Sequence, residues 1–236
     1  MPDQTTPIDL TTLTLSHGQH ATRTDGVCLL EAVAWWAGEP HGDAPKCVSP
    51  VLGTFGRNLN DVLPQDMRQE LVPLVPLMAG TAGDGHDEAR SYMALDWLVR
   101  VYLPTWLEAG GLGDAAASVR GLPRIVDLES AGLAGPVVRE ARDVARAAGA
   151  VAGAVAWVAA WAAAWDAAGD AARAAARAAD GDDREKLLLA VAAGDAAWAA
   201  ARAADGDALQ PTTATLQTDA IRLLHNMTVL GGTNAR

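Results

Sequence analysis

Apolar residues recur at three- and four-residue spacing through most of this chain, between punctuating Gly, Pro, Asp and Ser residues. The clearest stripe lies in 86–109, where Tyr92, Leu95, Leu98, Val99 and Tyr102 fall on one helix face, with Pro104 expected to bend or break the helix near its end. Ser49-Pro50 reads as an N-cap and N1 pair opening a helix that presents Val51, Phe55, Leu59 and Val62. Pro64 opens another, carrying Met67, Leu71 and Leu74, and Pro73 and Pro76 must kink or end it. Upstream, Asp25-Gly26 reads as a cap for a helix that passes Glu31, Ala34 and Trp35 and stops at Gly38, before the turn residues 39–43. Ile8, Leu10, Leu13 and Leu15 are spaced partly by twos and imply a short strand or an extended arm, and 17–20 reads as a loop.

After Gly110-Gly111 the pattern changes. Large apolar residues thin out and alanine takes over, so the chain is expected to divide into a mixed-composition helical domain at 1–113 and an Ala-rich helical bundle at 114–236. Pro136 marks an expected helix start, with the helix running from Val137 toward Ala168, and Pro211 opens a last helix carrying Leu216, Ile221, Leu224 and Met227. Residues 170–183 (DAARAAARAADGDD) recur at 195–208 (DAAWAAARAADGDA), an internal repeat offset by 25 residues. Two copies are fewer than a solenoid needs, so the repeat reads as two related helices packed together. Alanine favours helix and permits close axis approach, but buries little area. Trp157, Trp161 and Trp165, spaced i, i+4, i+8, and Trp198 in the second repeat would then anchor the Ala faces, either as core filling or as an aromatic platform for a ligand or partner.

The fold class that follows is all-α. Charge narrows the partners: the net value is −11, with 14 acids against 6 bases in 1–113 and 15 against 12 in 114–236. That excludes a basic nucleic-acid face and disfavours an anionic membrane surface. Residues 147–165 are uncharged and long enough to span a bilayer, but they are mostly Ala and Gly, and a soluble buried helix is the expected reading. The first dozen residues lack the basic and apolar regions of a signal peptide, and two cysteines cannot build a disulfide framework, so a cytoplasmic setting is expected.

Reactive side chains concentrate in 25–50 (DGVCLLEAVAWWAGEPHGDAPKCVSP), which holds both cysteines. Cys28 near a helix start is placed for thiol chemistry with His41 as base and Asp43 as orienter; His20 and His86 are other possible bases. Cys28, His41, Asp43 and Cys47 are also four ligand types that zinc accepts, although no paired metal spacing is present. The third reading is structural, with buried thiols and a hydrogen-bonded turn. Asn58, Asn60, Asp61 and Arg57 read as helix capping or a pocket edge, Asp96 as a stripe-edge acid or a buried carboxylate, and His225 as an ordinary helix histidine. No P-loop, GxGxxG or HExxH motif occurs.

The block C-LLEAVAWWAGEPHGDAPKCVSPV, with the later Leu95-Asp96-Trp97-Leu98-Val99-Arg100 and the Ala-Ala-Arg units, resembles a group of uncharacterised actinobacterial and phage proteins. The resemblance implies a shared core around 28–50 and a bacterial or phage setting, and implies no activity or cofactor. Three functions are therefore in play. The favoured one is a non-enzymatic helical interaction protein that binds a protein partner or its own copy as a homo-oligomer. The others are a cysteine-dependent hydrolase or transferase, and a zinc-binding module in the Cys28–Cys47 segment.

Overall fold

The computed structural model describes residues 8–152 and 210–231, with backbone alone over 149–152. The 25-residue repeat, Trp157, Trp161, Trp165 and Trp198 lie outside the described residues, as does most of 147–165. Among the described residues the fold is all-α, with no strand, and no helix is long and apolar enough to cross a membrane. The helices are α1 (Leu29–Trp36), α2 (Pro50–Val62), α3 (Gln65–Arg68), α4 (Val75–Met78), α5 (Asp87–Trp97), α6 (Leu103–Ala109), α7 (Gly113–Arg120), α8 (Leu128–Ala152) and α9 (Gln210–Thr228). The chain divides into two compact units: Met1–Arg90 with Gln217–Arg236, and Ser91–Leu216.

In the first unit α2 forms as its sequence directs. Ser49 Oγ accepts from the Leu52 N–H, Pro50 fills N1, and Val51, Phe55 and Leu59 are buried. α1 packs on α2 at Gly56, where a Cβ would come within 3.2 Å of both Leu29 and Met78 side chains, and α1 also packs on α4. Fully buried Leu15, Leu30, Leu52, Leu71 and Met78 continue that core. The prolines act as expected. Pro73 lies in a 3₁₀ turn (Gln69–Leu74) and Pro76 in the first turn of α4, so the path from Pro64 to Met78 is broken into short pieces. Arg68 closes the end of α2, donating from Nε to the Asn60 carbonyl (2.7 Å) and from Nη2 to the Leu63 carbonyl (2.6 Å), where a cation also opposes the helix dipole.

Two helix starts differ from expectation. α1 begins at Leu29 with Cys28 as its N-cap, while Asp25 closes a separate turn by accepting from Thr22 N and Thr22 Oγ1. α8 begins eight residues before Pro136, at an Asp127/Ser130 cap in which Ser130 N donates to Asp127 Oδ1 (2.8 Å) and Asp127 N to Ser130 Oγ (3.2 Å). Pro136 sits inside the helix on its exposed side, and residue i−4, whose carbonyl the ring crowds, is Gly132.

In the second unit Pro104 leaves the helix path intact. A π-helical segment (Leu98–Tyr102) joins α5 to α6, and the widened turn absorbs the missing N–H. Trp97, Tyr102 and Trp106 pack there, with ring centroids 5.5 and 6.1 Å apart. Asp96 pairs with Arg100 (3.1 Å) and accepts from the Ile125 N–H (2.8 Å), which fixes the α7–α8 connection against the α5 end. α8 buries Ala134, Val138, Ala141 and Ala145, an alternating four- and three-residue stripe with small side chains.

Candidate functional site

The chemistry-bearing residues of the first unit gather around Glu31. Its carboxylate is fully buried and sits at N3 of α1, where it completes a capping box by accepting from the Cys28 N–H at Oε2 (2.8 Å). Oε1 accepts the His20 backbone N–H (2.6 Å), and Oε2 also faces His20 Nδ1 at 2.8 Å. An ionised carboxylate can only accept, so His20 carries its proton on Nδ1. His41 Nε2 lies 3.7 Å from Glu31 Oε1 and 3.0 Å from the His20 carbonyl. A carbonyl can only accept as well, so His41 carries its proton on Nε2. His41 Nδ1 is buried with no hydrogen-bond partner among the described residues. Asn60 completes the frame from α2: its Oδ1 takes the otherwise orphaned Leu29 N–H (3.1 Å) and its Nδ2 donates to the Ser16 carbonyl (3.0 Å).

Electrostatics follow from these partners. Burial pushes the Glu31 carboxyl up, but the Cys28 and His20 donors outweigh it and hold the group below the usual carboxylate range. Cys28 is shifted oppositely. It is 2% exposed, and burial together with the Glu31 charge pushes its thiol up to about 12, against the weaker pull of the Glu31 and Leu30 N–H groups. The helix start that lowers a thiol's pKa elsewhere is here occupied by a carboxylate.

The expected constellation is therefore rearranged. Cys28 and His41 both lie beside Glu31, but Asp43 is held by Arg57, with Nε to Oδ2 at 2.9 Å and Nη2 to the Asp43 carbonyl at 2.6 Å. The orienting carboxylate is Glu31, and the histidine it orients most closely is His20. Cys47 is half-buried with its N–H on Glu39 Oε1 (2.8 Å), and its thiol is raised by burial and by Glu39. Among the described residues no three His, Cys, Asp or Glu side chains group so that they could hold a metal ion, so Cys28, His41, Asp43 and Cys47 are not brought together as a zinc set. Glu31 as the hub was visible in the sequence only as an acid at helical spacing within the dense 25–50 block. His20 was visible as a loop histidine.

Gly26 is the tight point of the site. Its φ is 143°, and a Cβ there would collide with the His20 imidazole. Gly26→Ala is expected to cost about 1–3 kcal/mol by straining the backbone and displacing the imidazole. Thermal unfolding and the His20 ring proton shifts in NMR check this; an unchanged Tm with unmoved shifts would contradict the packing.

Comparison with family models, curated proteins and solved structures finds no match for this chain.

Proposed function

We propose that this chain is a non-enzymatic helical interaction protein that self-associates through α8. The observation that carries the reading is the apolar surface of that helix. Leu133 is 61% and Val144 44% exposed, and with half-buried Val137 they line one side of α8 next to its buried Ala134–Val138–Ala141–Ala145 stripe. A monomer gains nothing from holding such residues in water, whereas two copies related by a twofold axis would each bury the same face. The state of Cys28 supports a non-enzymatic reading, since a sealed thiol pushed to about 12 is a poor nucleophile at neutral pH.

Leu133→Lys/Val144→Lys is the test. Both positions are exposed, so the fold of the single copy should survive, and like charges would face each other across the seam. Sedimentation equilibrium should show association weakened at least ~10-fold relative to the native chain. Association of unchanged strength, with circular dichroism also unchanged, would remove α8 from the interface.

A further inference from the structure

Residues 19–25 form a mostly exposed strap hung between two glycines in the left-handed region, Gly18 (φ 78°) and Gly26 (φ 143°). The chain on either side is well fastened. Leu15 N donates to Gln69 Oε1 (2.8 Å), Gln65 Nε2 to the Leu15 carbonyl (2.9 Å), Ser16 N to the Val27 carbonyl (2.8 Å), and Gly18 N to Asp61 Oδ1 (2.9 Å). Between the glycines the strap is clipped to the rest of the unit mainly at one residue. His20 uses its N–H and Nδ1 on Glu31 and its carbonyl on His41 Nε2. Arg23 adds a guanidinium laid 4.6 Å from the Trp35 ring centroid. The Thr22–Asp25 bonds are internal to the strap and shape it without attaching it. The clip closes on Glu31, which is fully buried and in turn accepts the Cys28 N–H (2.8 Å), and the Cys28 side chain beside it is 2% exposed.

We propose that this strap is a latch over the N-terminus of α1: releasing the His20 clip lets it swing about Gly18 and Gly26, uncovering Cys28 and Glu31 while the helices stay folded. The energetics favour a local opening. The strap's exposed residues are Gln19, Ala21, Thr22, Thr24 and Asp25, so little apolar area is given up, and every hydrogen bond of the clip can be replaced by water. The cost is far below that of unpacking the Leu29, Leu30, Leu52 and Met78 core. Opening also hydrates the thiol, removing the burial that chiefly holds it protonated. The latch would thus decide when a soft electrophile, such as a small disulfide, can reach Cys28, independently of any association through α8.

The test uses the full chain carrying Cys47→Ser, which leaves Cys28 as the single thiol and keeps a hydrogen-bonding side chain at position 47. Labelling by dithiobis(nitrobenzoate) is followed from zero urea up to the unfolding transition. A latch predicts a measurable rate that is flat at low urea and at least ~10-fold faster in His20→Ala, whose far-UV circular dichroism matches the parent. Should His20→Ala lose its helicity, the parent's urea dependence decides alone. A rate that climbs from the lowest urea with the slope of global unfolding, a rate unchanged in folded His20→Ala, or no labelling below the transition would each overturn the proposal.

Discussion

Arg90→Met is expected to lower the unfolding free energy by about 3 kcal/mol, because it removes the fully buried cation that pairs with Asp84 and Asp87 and the donor to the Met227 carbonyl. The Arg90 side chain is fully buried in the first unit. Its two terminal nitrogens take both oxygens of Asp84 (2.6 and 2.8 Å), Nη1 also reaches Asp87 Oδ1 (3.3 Å), and Nε donates to the Met227 carbonyl (3.0 Å) in the last turns of α9. The forked geometry is specific to guanidinium. Partial burial alone would raise the Asp84 carboxyl; the Arg90 and His86 donors hold it below its ordinary range instead. Asp87 in turn accepts from Ser49 Oγ, and Ser49 caps α2. One side chain therefore ties together the N-termini of α2 and α5 and the C-terminal turn of α9. Urea unfolding monitored by tryptophan fluorescence checks the magnitude. Arg90→Lys should recover part of the loss by keeping the charge without the fork; a loss under ~1 kcal/mol in Arg90→Met would mean the network adds little.

Glu31→Gln is expected to cost about 3 kcal/mol and to change the acid sensitivity of the protein. The amide can accept at one position, whereas the carboxylate accepts the Cys28 and His20 N–H groups and His20 Nδ1 across both oxygens. One buried donor would then face an NH₂ group. The pH dependence has a definite sign. The folded Glu31 pKa is depressed, so its stabilisation is complete above the unfolded value of about 4.3 and fades as pH falls through the folded value. The native chain should lose stability as pH falls below the unfolded value, and Glu31→Gln should lose less over that range while starting lower. Parallel stability–pH curves for the two proteins would show that Glu31 is not the linked group.

The parts of this fold that were legible in the sequence are those where local chemistry and packing agree. Ser49-Pro50 states the start of α2 outright, and Gly38 ends the first helix with φ 72° after Trp36, as its position suggested. Of the stripe Tyr92, Leu95, Leu98, Val99 and Tyr102, the last four are buried as their spacing required, while Tyr92 is half-buried. What stayed hidden depends on partners far along the chain. Asp25 is the better intrinsic cap, yet Cys28 takes the role because Glu31 and Asn60 satisfy the first N–H groups of α1 from the side. Pro136 is a start signal that Gly132 and an exposed position neutralise. α7 follows a Gly-rich break and is too short for a periodic signal. Arg90 carries no local signal in the sequence, and only the return of α9 makes it a buried tether. The thiol, histidine and carboxylate group was recognised as the densest chemistry, but its wiring was not. Spacing placed Asp43 beside His41, whereas Arg57 on α2 competes for it at short range.

The mass of the native chain in solution, measured by light scattering from about 1 to 200 µM, tests the functional reading most directly. Self-association through α8 predicts a weight-average mass that rises with concentration from 24.4 kDa toward twice that value. A constant 24.4 kDa across the whole range would contradict it.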